Sequence, residues 1–418
     1  MPQLTDDCFA DGGRLMTIDA ALERIARVAR PVTGTERVPL RAASGRILAE
    51  DVVAERDVPP DDNAAVDGYA VFFDDLEPGR ETRLPVTGRI AAGHPLGRAA
   101  RRGEALRVFT GAPMPEGPDT VLMQEDCREE GGEVAIIPGI ERGANRRFAG
   151  EDVAAGRTIL TRGRRLRPQD VGLAASIGRA EIAVYQRLRV AIFSTGDEVR
   201  EPGATLPPGA IYDANRYTLA ALLDGLGCAV TDLGILPDDA GVISAALDEA
   251  ADGHDLLFTS GGVSVGEEDH VRDVVEALGE LHFWRLAIKP GRPLALGQIR
   301  RVPFVGLPGN PVAAMVTFLR IARPLVLGLA GGADVAPTLF RARAGFDHKK
   351  KPRRREWVRA RLVTLADGGL TAEKFPRQGA GILSSLVESD GLVELPEDMT
   401  HLTKGTMVDF LPFSEVDG

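Results

Sequence analysis

Three carboxylates of this sequence stand in polar or glycine-rich segments that directly follow short apolar runs. Glu198 ends a Ser-Thr-Gly-Asp-Glu segment, Asp238 begins an Asp-Asp pair, and Asp269 ends a stretch that starts with Ser-Gly-Gly. The backbone N–H groups of a glycine turn, together with the positive end of the next helix, suit a phosphate group. Carboxylates tolerate a phosphate when a divalent cation lies between them, and Mg²⁺ prefers oxygen ligands. We therefore predict Mg²⁺-assisted chemistry on a phosphate ester or anhydride, with Glu198, Asp238 and Asp269 as metal ligands.

Each of these features has an ordinary structural interpretation when it is taken alone. A single carboxylate is typical of a helix cap, and a glycine-rich turn is typical of a tight connection. The prediction depends on their meeting at one site with Lys289 and Arg292, which stand in a Lys-Pro-Gly-Arg-Pro segment. Lys289 is the single lysine before Lys349 in a chain that otherwise uses arginine for positive charge. Because a compact ammonium differs from a planar guanidinium, we expect Lys289 to serve an anionic ligand.

Alternating apolar runs and helical patterns indicate an α/β domain that would bring these segments together. Leucines at helical spacing from Leu219 to Leu226 mark one helix, and Asn310 is predicted to cap the last helix, with Pro311 at its first position. This alternation favours a three-layer domain with a mainly parallel sheet, in which ligands bind beyond the carboxyl ends of the strands. The predicted strands are Val190–Phe193, Ala229–Leu236, Leu256–Thr259, Leu281–Ile288 and Pro303–Val305.

Other kinds of element flank this domain. A first helix is predicted from Ile18, with Thr17 as its cap and Pro31 as its stop. Short strands cut by glycine and proline between residues 58 and 149 indicate a β-rich lobe, and the strands after residue 332 indicate a small β-barrel or sandwich. The basic run at residues 349–355 is predicted to be an exposed loop. The predicted strands of the two parts are Tyr69–Phe73, Ala105–Phe109, Thr120–Met123, Val134–Ile137, Phe340–Ala344, Trp357–Leu365, Leu392–Leu395 and Met407–Phe413.

The composition excludes several classes of protein. The chain has 418 residues, 44% of them hydrophobic and 27% charged, which is too apolar for wholesale disorder. Its 3 cysteines are far apart, so we expect neither a disulfide scaffold nor a zinc finger. A formal net charge of −11 disfavours nucleic acid as a partner. We see no apolar run of membrane-spanning length, since the longest runs, such as Ile321–Ala330, are too short. We also see no signal peptide. We therefore expect a cytoplasmic protein without a membrane partner.

Two further segments allow two interpretations each. Residues 59–71 combine adjacent acids, an asparagine and a glycine before a strand, and residues 110–115 form a Pro-rich turn. Both are typical of plain turns. They would also be suited to closing a site from a neighbouring domain. Periodicity does not separate these alternatives.

Seven short motifs of the chain also occur together, in one order, in a known family. On these motifs the sequence resembles the molybdopterin molybdenumtransferase family, also called the MoeA / gephyrin E-domain family, from about residue 15 to the end of the chain. The motifs are Asp62–Ala70, Thr110–Pro113, Gly150–Asp152, Ser194–Glu198, Ser260–Gly266, Ile288–Pro293 and Gly306–Pro311.

The resemblance implies a multidomain α/β fold within an elongated homodimer. Its parts would be a discontinuous helical linker domain at residues 1–56 and 149–186, a β-rich lobe at 57–148, a three-layer α/β molybdopterin-binding domain at 187–331, and a C-terminal β-barrel at 332–418. In such a dimer the β-rich lobe of one subunit would complete the cleft of the other.

The resemblance further implies insertion of molybdate into adenylylated molybdopterin, with Mg²⁺-dependent release of AMP. The adenylyltransferase of this pathway and acceptor molybdoenzymes would be further partners. The implied catalytic residues are Asp62, Glu198, Asp238, Asp269 and Lys289, and we expect Asp269→Ala to abolish AMP release. Molybdate would lie against Lys289, Arg292 and a barrel serine, with Arg354 or Arg359 as a further candidate. The implied substrate-binding residues are Thr110, Arg147, Asp152, Ser194, Gly196, Ser260, Gly261, Gly262, Ser264, Gly266, Arg285, Arg292, Pro293, Pro308, Gly309, Asn310, Ser384 and Ser385.

The chain departs from the family pattern at a few positions. Asp61 replaces an aromatic residue, and Ala64 and Val66 replace a serine and a methionine of the same loop. Arg285 and Arg292 replace lysines, and because arginine binds oxyanions through two donors we expect anion binding to survive. Two other functions stay open from the sequence. One is the preceding step, adenylyl transfer to molybdopterin, and the other is a gephyrin-like scaffold without catalysis.

Overall fold

In the computed structural model, which describes residues 15–262, 270–291 and 293–416, a six-stranded sheet organises the α/β region. Its first four strands are parallel, and the last two run antiparallel to their neighbours. From one edge to the other the strands are Ala229–Leu236, Arg189–Thr195, Leu256–Ser260, Val302–Leu307, Pro293–Ile299 and Gly279–Arg285. The strand Pro293–Ile299 is absent from the sequence prediction, so the sheet is more mixed than expected.

The three-layer arrangement is visible in alternate residues of the strand Arg189–Thr195. Val190 and Ile192 belong to one hydrophobic core and Ala191 and Phe193 to another, because successive side chains of a strand point to opposite faces. The helix Asn215–Gly225 contributes to the first core. The helices Ala240–Gly253 and His270–Leu278 contribute to the second. The predicted three-layer domain is therefore confirmed.

The first helix, Ile18–Val28, is confirmed together with its cap, because the side chain of Thr17 accepts a hydrogen bond from the Ala20 N–H. Its buried face packs in the α/β core, against the segment Pro311–Leu329. That segment comprises the helix Pro311–Thr317, a π-helical turn over Phe318–Ala322 and the helix Arg323–Leu329.

The segment Pro311–Leu329 is longer than the apolar run expected from the sequence. It is the one helical segment within residues 15–262, 270–291 and 293–416 that is long and apolar enough to cross a membrane. Its mean hydropathy is 1.7, and 94% of the residues in its most apolar window are buried inside the protein. Packing within the core therefore accounts for its apolar composition.

A second six-stranded sheet forms the β-rich lobe, with small hydrophobic cores on its two faces. Four of its strands match the predicted ones to within two residues, whereas Thr82–Ile90 and Cys127–Glu130 were not expected. In spatial order the strands are Thr120–Met123, Gly68–Val71, Ala105–Val108, Thr82–Ile90, Glu133–Ile136 and Cys127–Glu130.

The C-terminal strands close on themselves into a five-stranded barrel around a core of their own, so the predicted small β-barrel is confirmed. A sixth strand, Ile288–Lys289, pairs with the barrel strand Arg355–Thr364 and ties the barrel to the α/β region. A one-turn helix, Ser384–Val387, lies between two barrel strands. Around the barrel the strands are Arg355–Thr364, Leu370–Lys374, Phe340–Ala344, Met407–Pro412 and Gly391–Leu395.

The prediction that the basic run at residues 349–355 is an exposed loop holds for Lys349, Lys351 and Arg353, which are exposed, and was wrong for Lys350 and Arg355. The Lys350 ammonium is buried and donates to the carbonyl oxygens of Pro396 and Met399, each at 2.7 Å. Arg355 pairs with Asp19, Glu394 and Glu397. These cations connect strands and loops instead of facing the solvent.

Small elements link these parts. Buried side chains from residues 38–54 and 153–184 form one hydrophobic cluster, which includes the helix Pro168–Ser176. The remaining two-stranded pairs are Thr35–Pro39 with Glu181–Tyr185, Val52–Val53 with Thr158–Leu160, Asn63–Ala64 with Arg146–Arg147, Val199–Arg200 with Ile211–Tyr212, and His348–Lys349 with His401–Leu402. The 3₁₀ turns are Leu40–Ala42, Phe73–Asp75, Gln124–Asp126 and Phe413–Glu415.

Candidate active site at the carboxyl edge of the sheet

A cavity of about 840 Å³ opens where the parallel strands of the α/β sheet end. Its position follows from topology, because the carboxyl ends of parallel strands meet at the same edge of a sheet. The helix Asn215–Gly225 and the loop containing Gly381 complete its walls. The predicted site residues that line it are Ser194, Gly196, Glu198, Asp238, Ser260, Gly261, Gly262, Gly309 and Asn310.

The glycines of this cavity adopt backbone conformations that other residues rarely take. The φ angles of Gly196, Gly261 and Gly262 are 126°, 88° and 65°. A Cβ atom on Gly262 would lie 2.4 Å from the Oγ1 of Thr195. The Ser260–Gly262 turn therefore keeps its shape only because its last two residues are glycines.

The hydroxyl of Ser194 is an unpaired buried group on the cavity wall. The residue is 2% exposed, and its Oγ has no hydrogen-bond partner among the described residues. A buried polar atom without a partner costs free energy, which a polar group of a ligand would recover. By contrast, the hydroxyl of Ser260 donates to the carbonyl oxygen of Pro308 at 3.2 Å.

The cavity also has polar lining residues that the sequence analysis missed: Thr195, Tyr212, Asp213, Asn215 and His270. Asp213 precedes the helix Asn215–Gly225 and Asn215 begins it, at the same edge of the sheet as the predicted loops. An Asp-Ala-Asn triplet at a helix start was the signal that would have found them.

Asp213 belongs to a buried ion network centred on Arg216. Its carboxylate accepts from the backbone N–H and the Nε of Arg216, at 3.1 and 3.0 Å. Arg216 also pairs with Asp232 and Glu201. Burial alone would lower the pKa of the Arg216 guanidinium, but its hydrogen bonds to Asp232 and Asp213 raise that pKa above its usual value. Asp213 is therefore committed to its arginine partner.

The remaining acidic lining residues, Glu198 and Asp238, bear directly on the predicted metal. No lysine or arginine is among the described residues that line the cavity. Mg²⁺ is commonly held through one or two carboxylates together with the phosphates of a substrate, and these two oxygen donors fit that pattern. Across residues 15–262, 270–291 and 293–416, no cluster of three or more metal-binding side chains is present. Asp269, the third predicted ligand, lies outside the described residues.

Lys289, which we expect to meet Glu198 and Asp238 at one opening, is not among the described residues that line this cavity. The reason is that Ile288–Lys289 leaves the α/β sheet to pair with a barrel strand. There the Nζ of Lys289 lies 2.6 Å from Oε1 of the buried Glu356.

Glu356 is the centre of a second cluster, at the junction of the α/β region and the barrel. Its carboxylate also contacts His348 Nε2 at 3.0 Å and Arg354 Nη2 at 3.2 Å, and Lys374 lies beyond His348. Burial alone would raise the pKa of Glu356, but the hydrogen bonds of His348 and Lys289 lower it to about 2. Several cations thus surround one anion, and we call Lys289, His348, Arg354, Glu356 and Lys374 the junction cluster.

Arg359 lies close to this cluster and is 1% exposed. Its Nε donates to Ser385 Oγ and one Nη to the carbonyl oxygen of Gly379, both at 3.0 Å, and burial lowers its pKa to about 10. The fully buried Ser385 donates to Ile382 O at 2.6 Å, whereas Ser384 is exposed. Since Gly381 of the same loop lines the cavity, this loop connects the surroundings of the junction cluster with the cavity.

The predicted residues of the β-rich lobe are not among the residues that line the cavity of their own chain. Asp62 accepts from Arg146 Nε at 2.9 Å and from the Ala149 N–H at 2.7 Å, and these contacts lower its pKa. Thr110 donates from both its backbone N–H and its hydroxyl to Asp67, at 2.8 and 2.7 Å. Arg147 of the lobe and Asp152 of the linker part are exposed.

The remaining predicted site residues either do not line the cavity or lie outside the described part of the chain. Arg285 is exposed at the end of its strand, Pro293 begins the next strand, and Pro308 is buried beside Ser260. The predictions for Ser264, Gly266, Asp269 and Arg292 concern residues outside the described part of the chain.

Three protein-family models, all for molybdopterin biosynthesis proteins, together match most of the chain. The model for the MoeA N-terminal region, domains I and II, matches residues 16–178. A probable molybdopterin-binding domain matches residues 191–328, and the MoeA C-terminal region, domain IV, matches residues 341–413.

Relatives with the same arrangement are similar along their whole length. The chain is 38% identical to a molybdopterin molybdenumtransferase of Haemophilus influenzae, over 97% of this chain and 100% of that one. It is 35% identical to a protein of the same name from a Nostoc species, over 89% of this chain and 87% of that one. A crystal structure of the molybdopterin biosynthesis MoeA protein from Pyrococcus horikoshii OT3 matches with a TM-score of 0.81, at 30% identity over 96% of this chain and 100% of that one. The chain therefore belongs to the MoeA family.

Proposed function

We propose that this protein is a molybdopterin molybdenumtransferase, which inserts molybdate into adenylylated molybdopterin and releases AMP. The observation that carries the proposal is the single cavity that combines Glu198 and Asp238 with the Ser260–Gly262 turn. A phosphate-bearing pterin needs both an amide-rich turn and a way to balance its charge. Relatives of this family are named for the same activity.

The cavity residues would hold the substrate by its phosphate and by polar groups of the pterin. The Ser260–Gly262 turn would offer the backbone N–H of Gly262, since the Gly261 N–H is bonded to Leu307 O, and the unpaired hydroxyl of Ser194 offers one further hydrogen bond. Glu198 and Asp238 are the residues that would hold Mg²⁺. Bound there, the ion would neutralise phosphate oxygens of the anhydride that yields AMP.

The junction cluster and Arg359 would hold the second substrate, molybdate. The cluster carries more cationic than anionic groups, and Lys289 is 41% exposed, so its ammonium can reach a small oxyanion. Glu356 fixes that ammonium in place. Because Gly379 contacts Arg359 and Gly381 lines the cavity, one loop would keep the molybdate near the dithiolene of the bound pterin.

We further propose that the protein acts as a homodimer in the cytoplasm, with acceptor molybdoenzymes and the adenylyltransferase as partners. Asp62, Thr110, Arg147 and Asp152 do not line the cavity of their own chain, so a second copy is what would bring such residues to it. The arginine contact of Asp62 and the threonine contact of Asp67 hold these lobe loops in defined shapes.

The direct test supplies purified protein with adenylylated molybdopterin, molybdate and Mg²⁺, and follows AMP release. We expect Asp238→Asn to reduce the rate by about 100-fold or more, because the substitution removes an anionic oxygen from the proposed metal site. The matched control is Asp239→Asn, since Asp239 caps a helix by accepting from the Val242 N–H and asparagine caps equally well. Equal rates for both variants would contradict the proposed role of Asp238.

The same preparation separates the two alternative functions. Consumption of ATP in the presence of molybdopterin would indicate the adenylyl transfer step. A scaffold without catalysis would show two results. The folded protein would release no AMP from either substrate, and it would fail to restore molybdoenzyme activity in a strain lacking the transferase.

A further inference from the structure

One amide side chain bridges two walls of the cavity. The Nδ2 of Asn215 lies 2.8 Å from Ser260 Oγ and 2.7 Å from the carbonyl oxygen of Gly309. These partners fix the orientation of the amide. A carbonyl oxygen only accepts, and the hydroxyl of Ser260 already donates to Pro308 O. Asn215 therefore donates both of its amide protons, one to each of two loops.

The backbone that carries this amide is held in place from the opposite side. Asn215 is the first residue of the helix Asn215–Gly225, and the next residue, Arg216, is 3% exposed. Arg216 is locked to Asp213 through its backbone N–H and its Nε, and it pairs with two further carboxylates. A buried ion network of this kind leaves the start of the helix little freedom, so the amide of Asn215 is pre-organised.

The two bridged loops touch each other where phosphate recognition is proposed. A Cβ atom on Gly309 would lie 3.7 Å from the Cα of Gly261, and Gly261 donates its N–H to Leu307 O at 3.0 Å. The directions of the turn amides therefore depend on the spacing between the Ser260–Gly262 turn and the loop at Gly309. Asn215 is the side chain that contacts both.

We infer that Asn215 is a positioning residue that holds the Ser260–Gly262 turn in its ligand-binding geometry through its bonds to Ser260 and Gly309. The inference rests on the proposed function, because it deepens the role of the same cavity. It predicts that losing these two hydrogen bonds weakens binding of the pterin phosphate without unfolding the protein.

The test is Asn215→Asp, which keeps the size of the side chain but replaces the amide donors by carboxylate oxygens. We expect the Kd for molybdopterin, measured by calorimetric titration, to rise about tenfold or more at pH 8, because one lost hydrogen bond and one repulsive contact amount to at least a factor of ten. With adenylylated molybdopterin, KM should rise by a larger factor than kcat falls.

A pH series distinguishes positioning from general damage. A carboxyl group facing carbonyl oxygens has a raised pKa, and in its protonated form it can donate a hydrogen bond. The ratio of variant to wild-type Kd should therefore shrink as the pH falls from 8 toward 5. Damage to the fold would leave that ratio unchanged or increase it.

Two further variants serve as control and safeguard. Thr218 lies one turn along the same helix and donates to Ala214 O at 2.9 Å, and it does not line the cavity. Thr218→Val should bind molybdopterin like the wild type, and a loss equal to that of Asn215→Asp would overturn the inference. Asn215→Ser, which introduces no charge, should also bind molybdopterin more weakly than the wild type, by a smaller factor than Asn215→Asp at pH 8 and without the pH dependence.

The outcomes separate the inference from the function on which it rests. Wild-type affinity in both Asn215 variants would overturn the positioning role while leaving the proposed function intact. Failure of the wild-type protein itself to bind molybdopterin would overturn the proposed function, and the role of Asn215 with it.

Discussion

At the scale of single residues, the most consequential group is a buried carboxylate that the sequence analysis did not single out. Glu356 is 2% exposed and accepts from Lys289, His348 and Arg354. Such an anion among cations orients every donor around it. The presence of Lys289, the single lysine before Lys349, is therefore explained by its partner as much as by any ligand.

We predict that Glu356 contributes to stability in a defined range of pH. Its pKa is about 2 in the folded protein against an ordinary 4.5, so the unfolded state binds more protons between these values. The stability that Glu356 provides is present above pH 4.5 and is lost as the pH falls toward 2. Urea unfolding should show a steeper loss of stability over this range in the wild type than in Glu356→Gln. Parallel curves would contradict the assignment.

A second residue-scale prediction concerns the glycine turn of the cavity. Gly262→Ala should lower the free energy of unfolding by about 1–3 kcal/mol, because alanine is strained at a φ of 65° and its Cβ would approach Thr195 Oγ1. Gly203→Ala is the control, since Gly203 has a φ of 89° and nothing within 4 Å of an added Cβ. A chemical denaturation curve of each variant gives its free energy of unfolding. Gly203→Ala measures the strain of alanine at a positive φ, and the additional loss in Gly262→Ala measures the steric contact with Thr195. Equal losses would mean that the turn tolerates a side chain.

At the scale of elements, helices were easier to predict than strands whose alternating pattern is broken by proline or glycine. The first helix followed from its spacing and its cap. The lobe strand Thr82–Ile90 was missed because Pro85 and Gly88 signal a break, although its burial alternates as a strand requires. A bulge between Val86 and Gly88 absorbs the irregularity, and this depends on the neighbouring strand Ala105–Val108.

We predict opposite effects for the same substitution in two helices. Gly328 lies in the helix Arg323–Leu329, where an added Cβ would be 2.7 Å from the Cβ of Ala29. Gly172, in the helix Pro168–Ser176, has nothing within 4 Å. Gly172→Ala should stabilise the protein by about 0.5–1 kcal/mol. Gly328→Ala should destabilise it by about 1–3 kcal/mol, because the first helix must shift. Thermal unfolding measures both, and stabilisation by Gly328→Ala would contradict the close packing.

At the scale of the whole molecule, we propose the four-part division expected from the sequence, with one adjustment. The helix Ile18–Val28 shares its core with the α/β region, whereas residues 38–54 share theirs with residues 153–184. The discontinuous linker part would therefore begin after this helix. The strand Ile288–Lys289 fastens the barrel to the α/β region, and Lys289 is not among the residues that line the cavity with Glu198 and Asp238.

The proposed homodimer predicts that two inactive variants restore activity when they form a mixed dimer. Asp238→Asn impairs the cavity, and Thr110→Ala removes a lobe contact that would serve the other subunit. Each variant alone should release little AMP. After unfolding and refolding together in equal amounts, half of the dimers would be mixed and contain one intact site. Activity should then return to roughly a quarter of the wild-type value. No recovery, in a mixture shown to be dimeric by sedimentation, would contradict a site shared between subunits.

The sequence by itself determined the alternation of most helices and strands, the two kinds of β structure and several of the loops that line the cavity. It did so because helical spacing, strand alternation and the carboxyl-edge rule of parallel sheets are local or topological properties. The tertiary structure alone decided the partners of those loops. It placed Asn215 between Ser260 and Gly309, enclosed Glu356 among cations and moved Lys289 to the barrel junction. Contacts between residues far apart in the chain leave no periodic signal, since they arise only when separate elements pack.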